Sequence, residues 1–101
     1  MIRATLLLLL CANCAAPVAA RDPQRAFRAL PQEVQKFIVR RDGCDHFRGE
    51  DPYDAERMAE ISRQLDQLCT GTDAELARLK RRYSRNPAVQ KALAGYDRRA
   101  E

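Results

Sequence analysis

An unbroken leucine run, Leu6 to Leu10, constrains everything that follows it in this chain. Met1 to Thr5 precedes the run with one charge, Arg3. Cys11 and Ala12 extend it, small residues follow to Pro17-Val18-Ala19-Ala20, and Arg21-Asp22 opens a charged sequence. A positive end, an apolar centre and small residues just before the cut are the layout of a secretory signal peptide. Residues 1–20 are therefore expected to be a signal peptide cleaved between Ala20 and Arg21, and the remainder a periplasmic or secreted protein. The apolar centre is roughly half the ~20 residues that a membrane-spanning helix needs, so the mature form is expected to have no transmembrane anchor. A cysteine that carries lipid needs a small residue before it, whereas Leu10 precedes Cys11 and Asn13 precedes Cys14. The C-x-x-C spacing of that pair leaves with the leader.

Removing residues 1–20 from a chain of 101 leaves 81, enough for one domain. A domain this small buries a modest core and usually needs a further constraint. Two cysteines remain, Cys44 and Cys69. In a small exported chain an even count reads as a disulfide. Closing a loop of 25 residues contributes roughly 3–4 kcal/mol on chain-entropy grounds. The leader holds one of the 18 basic residues and none of the 14 acidic ones, so the mature balance is 17 against 14, or +3. Charges of both signs are spread along the chain. That mild excess, in this compartment, argues against a nucleic-acid partner. Fifteen of the 18 basic residues are arginine, a bias that fits a GC-rich bacterial source and hence the periplasm.

The periodicity is helical almost throughout, and strand signals are nearly absent. Residues 21–30 are a charged lead-in with a short helical turn at Ala26, Phe27 and Leu30. Residues 31–101 read as a single all-α domain of three to four helices with one disulfide. The first firm helix begins at Pro31, which suits a first turn. Val34, Phe37, Ile38 and Arg41 share one stripe. Arg40-Arg41 are expected in the last turn, where the helix dipole favours cations, and Gly43 as the terminating residue. The second helix is expected to be capped by Asp51 with Pro52 at its first position. It carries a core stripe of Met58, Ile61, Leu65, Leu68 and Cys69, and Gly71 ends it. Thr72 to Glu75 has the spacing of a capping box and opens a third helix on Leu76, Leu79 and Tyr83. Asn86-Pro87 opens a fourth on Val89, Leu93 and Tyr96.

A tight hairpin turning near residue 50 would set Cys44 and Cys69 roughly 20 Å apart at 1.5 Å rise per residue, whereas a disulfide needs Cα atoms within about 7 Å. The expected resolution is a helix that stops at Gly43 and a taut loop, 44–51, running along the second helix.

The densest chemistry lies in Cys44-Asp45-His46-Phe47-Arg48-Gly49-Glu50-Asp51, which holds the single histidine. Cys44, His46 and Cys69 with one carboxylate make a conceivable zinc or copper set. It lacks the paired spacing of structural zinc sites, and exported thiols tend to be oxidised. No catalytic assignment follows: His46 has no serine or free cysteine nearby in sequence to activate, and Asp45 with Glu50 reads as a solvated polar loop. Lys80, Arg81, Arg82 and Arg85, beside Tyr83, form the best basic patch, suited to an acidic protein or an anionic envelope surface. The expectation is a small exported helical protein that works by binding, without a cofactor and without being an enzyme. The alternative is a periplasmic metal-binding or stress-responsive protein using Cys44 and His46.

Overall fold

The computed structural model describes residues 22–101, and the expected signal peptide, with Cys11 and Cys14, lies outside them. Five helices occur in the described residues: α1 (Pro23–Arg28), α2 (Gln32–Arg48), α3 (Ala55–Cys69), α4 (Thr72–Arg82) and α5 (Pro87–Leu93). No described residue is assigned to a strand. No helix among the described residues is long and apolar enough to cross a membrane.

The lead-in turn is a helix in its own right. Asp22 caps it by accepting the Gln24 N–H, and Pro23 occupies its first turn. Pro31 is the residue before α2 rather than its first member. Val34, Phe37 and Ile38 project from the first half of α2 into a core shared with Leu30, Leu76 and Leu79 of α4, and Val89 and Leu93 of α5. Phe27, Tyr83, Ala92 and Tyr96 pack around it, and Phe37 meets Tyr96 edge-on, with ring centroids 5.7 Å apart. Asn86 caps α5 as the Asn-Pro signal predicts, accepting the Val89 N–H at 3.2 Å.

The second half of α2 departs from expectation. The helix runs through Gly43 to Arg48, so the loop expected at 44–51 is helical over most of its length. Gly43 serves close approach rather than termination: a Cβ there would lie 3.1 Å from Leu68 Cδ1. Cys44 is therefore a helical residue, and its sulfur joins that of Cys69 with Cα atoms 5.0 Å apart. The geometric conflict dissolves because the turn is not tight. Cys44 is four residues from the end of α2, and Cys69 fourteen from the start of α3, a difference of about 15 Å at 1.5 Å per residue. The six residues of 49–54 can reach about 20 Å when extended.

Two caps are also displaced. Asp54, not Asp51, accepts the Arg57 N–H at 2.7 Å and begins α3. Gly71, at φ +82°, adopts the left-handed conformation between α3 and α4, which only glycine takes without strain. It precedes α4 directly, so the capping box expected at Thr72 is absent. Thr72 instead donates to the Cys69 carbonyl at 2.8 Å, and Glu75 pairs with Arg40 at 3.2 Å.

The molecule thus has a bundle, made by α1, the first half of α2, α4 and α5, and an arm, made by the second half of α2 and α3. Only Ile61 and Cys69 of α3 are buried, and neither belongs to the main core. Met58, expected inside, is 56% exposed. The disulfide sits where the arm leaves the bundle.

Candidate functional site

Arg41 organises that junction. Its place on the Val34–Phe37–Ile38 stripe is real, and its side chain is fully buried rather than solvated in a last turn. Burying a guanidinium is tolerable only if its donors are satisfied. Nε donates to Asp45 Oδ1 at 3.2 Å, and Nη1 to Thr72 Oγ1 at 3.4 Å and Asp73 Oδ1 at 3.2 Å. Nη2 donates to the Asp97 carbonyl at 2.5 Å. One side chain so connects α2, the start of α4 and the C-terminal segment. Asp73 adds to the connection by accepting the N–H groups of Ala100 and Glu101. Burial works against the charge of Asp73, but those two N–H groups and Arg41 outweigh it and hold the carboxyl below the usual carboxylate range.

In the Cys44–Asp51 segment most of the side chains read as candidate ligands are engaged with other protein groups. Both sulfurs are in the disulfide, so the metal set Cys44, His46 and Cys69 offers no thiolate in this form. His46 is 71% exposed, with Nε2 4.0 Å from Glu50 Oε2 and its ring edge-on to Phe47. No group of three His, Cys, Asp or Glu side chains suited to a metal occurs among the described residues. Glu50 instead accepts two bonds at 2.7 Å from Arg57, whose guanidinium also lies 5.9 Å from the centre of the Phe47 ring. Asp45 is taken by Arg41 and Arg48.

The basic run divides into two groups. Arg82, with Arg78, pairs with Glu33 of α2, at 3.1 and 3.5 Å. The Tyr83 hydroxyl donates to the same carboxylate at 2.5 Å; that bond, with the two arginines, holds the Glu33 carboxyl below its ordinary range, while the bond to Glu33 and burial push the Tyr83 phenol up against the two arginines. Arg82 therefore fastens α4 to α2. Lys80, Arg81 and Arg85 make no ion pair among the described residues. Arg81 and Arg85 are exposed and Lys80 is half-buried. Lys80 and Arg81 meet Arg98, of the C-terminal segment, at a cavity of about 370 Å³ beside α4. The signal for Arg98 is tertiary: the Arg41–Asp97 contact and the Asp73 bonds to Ala100 and Glu101 fold its segment back onto α2 and α4.

Charge is segregated rather than evenly spread. Residues 42–75, mostly the arm, hold ten acidic and three basic side chains, whereas residues 76–101 hold eight basic and two acidic. The first stretch is net −7 and the second +6, histidine apart.

Compared with known proteins, the chain matches no family model, no curated protein and no solved structure. Fold and site define a class only: among the described residues, a small all-α domain with one disulfide, an acidic arm and a basic face on α4.

Proposed function

We propose that this is an exported, periplasmic or secreted protein that acts by binding, using the basic face of α4 to engage an anionic surface. Lys80, Arg81 and Arg85 carry the contact, while Arg82 belongs to the fold. The observation that supports this most is the contrast within one run of cations: Arg82 is matched by Glu33, and its neighbours have no carboxylate among the described residues within 4.0 Å. Cations left unmatched on a rigid helix raise the local concentration of anions and steer their approach. An acceptor surface of anionic lipid or acidic protein is the matching chemistry, and catalysis is not part of the reading.

Sedimentation with phosphatidylglycerol-containing vesicles tests it. Arg81→Gln with Arg85→Gln should weaken association and reduce its salt dependence, because the contact is screened within a Debye length of about 8 Å at physiological ionic strength. Arg82→Gln should have a smaller effect on binding. Association that survives the double change and ignores salt would refute the assignment.

A further inference from the structure

We propose that the cavity between α4 and the C-terminal segment is a site for a phosphate group, held by Lys80, Arg81 and Arg98. The inference rests on the basic-face reading above and names the ligand. The cavity, about 370 Å³, is lined by Asp73, Leu76, Ala77, Lys80, Arg81 and Arg98.

Two observations distinguish it from a chance gathering of cations. Arg98 stands between fixed points. On one side the Asp97 carbonyl accepts from buried Arg41 at 2.5 Å, and on the other the N–H groups of Ala100 and Glu101 donate to Asp73 at 2.8 and 3.1 Å. Its backbone is thus held against α4 before any ligand arrives, which lowers the ordering cost of binding. The one acid in the lining is also already engaged. Asp73 Oδ1 accepts from Arg41 and Ala100, and Oδ2 from Ala100 and Glu101. Its charge is offset by Arg41, so three cations remain for a ligand. None of the three has an ion-pair partner among the described residues.

Three cations, two of them planar forks, suit a group with three outer oxygens and a charge near −2, which describes a phosphate monoester. A carboxylate offers two oxygens and one charge. Leu76 and Ala77 give the cavity an apolar part, which accommodates the carbon atoms attached to the phosphate. A soluble phosphate monoester and the headgroup of phosphatidic acid present this same chemistry.

Calorimetry with inorganic phosphate and glycerol phosphate, against acetate at matched ionic strength, tests the soluble source. Sedimentation with phosphatidic acid/phosphatidylcholine vesicles tests the lipid source. Phosphate should bind in preference to acetate, or the vesicles should retain the protein. Arg98→Gln and Arg81→Gln should each weaken the observed binding by at least about tenfold, as expected for loss of a charged hydrogen bond. Helical circular dichroism should be unchanged, because both side chains are exposed. Lys91→Gln, on α5 and outside the cavity lining, should leave phosphate binding intact. Arg98→Gln protein that binds as tightly as the parent overturns the site. If vesicle binding depends on Arg85 but not Arg98, and phosphate binds no better than acetate, the cavity assignment falls and the basic-face reading stands. If neither phosphate esters nor anionic vesicles bind, both fall.

Discussion

Replacing Arg41 by methionine keeps most of the side-chain volume and removes the guanidinium. Four bonds are lost together, to Asp45, Thr72, Asp73 and the Asp97 carbonyl. Breaking a buried charge network from one side costs about 3–5 kcal/mol, because its partners are left unpaired. Here the partners are only partly stranded. The side chains of Asp45 and Asp73 are 37% and 24% exposed and can rehydrate. Thr72 retains its bond to the Cys69 carbonyl, and Asp73 its bonds to Ala100 and Glu101. The lower end of the range, about 3 kcal/mol, is therefore expected. A domain of this size has roughly 3–5 kcal/mol in total, and one kcal/mol moves its midpoint by about 4–8 °C. The melting temperature of Arg41→Met, followed by circular dichroism with the disulfide intact, should fall by about 12–24 °C. Arg41→Lys should fall between the two, since an ammonium keeps the charge but cannot reproduce the fork. A methionine variant melting within about 2 °C of the parent, a shift well below that of one kcal/mol, would show that the guanidinium is not the junction of this fold.

Cys69→Ala should cost about 2–5 kcal/mol, and amide exchange should accelerate over α3 more than over the first half of α2, since α3 contributes nothing to the main core. Equal exchange in both segments would refute the division into bundle and arm. Asp73 has a folded pKa below its unfolded value, so the stability it contributes is present above about pH 4 and is lost as pH falls through the folded pKa. Asp73→Asn should flatten the acid limb of the stability profile, and an acid transition identical to the parent's would count against the Arg41–Asp73 clamp. Gly43→Ala should change stability by less than about 1 kcal/mol, because the helix-propensity gain is offset by displacement of Leu68, 3.1 Å from the added methyl. Gly43→Leu should be clearly destabilising in the same melt, and a tolerated leucine would show that the α2–α3 contact is loose.

The helical class, the stripes of α2, α4 and α5, the Asn86 cap and the Cys44–Cys69 pairing were all legible from spacing and residue type, because each depends on neighbours within a turn or two or on cysteine count. The misplaced features share a different cause. Gly43 has the same local character whether it ends a helix or admits a neighbouring one, and only the position of Leu68 decides. Asp51 and Asp54 are both acceptable caps, and the length needed to bring Cys69 to Cys44 favours the later start. Arg41 fits the apolar stripe by period and the helix end by charge. Its satisfaction depends on Asp73 and Asp97, far along the chain, which no local pattern reveals. The division of the basic run has the same origin: Arg82 and Arg81 are adjacent in sequence, but only one of them faces Glu33.

That division implies that binding and arm stability can be separated. The face of α4 is positioned from below by Leu76 and Leu79 in the core and from the side by Arg82 and Tyr83 on Glu33. None of these contacts passes through α3 or the disulfide. Arg41 and Thr72 are the shared elements, joining the start of α4 to the helix that carries Cys44. Reducing the bridge should therefore loosen the arm first. At a temperature where the bundle remains helical, the reduced protein should keep its salt-sensitive association with anionic vesicles while α3 exchanges freely. Because the contacts that position the α4 face do not run through α3, association should be undiminished. Hydrogen exchange and sedimentation on the same reduced sample decide the matter: loss of binding with α4 still protected would mean that the arm itself forms part of the contact surface.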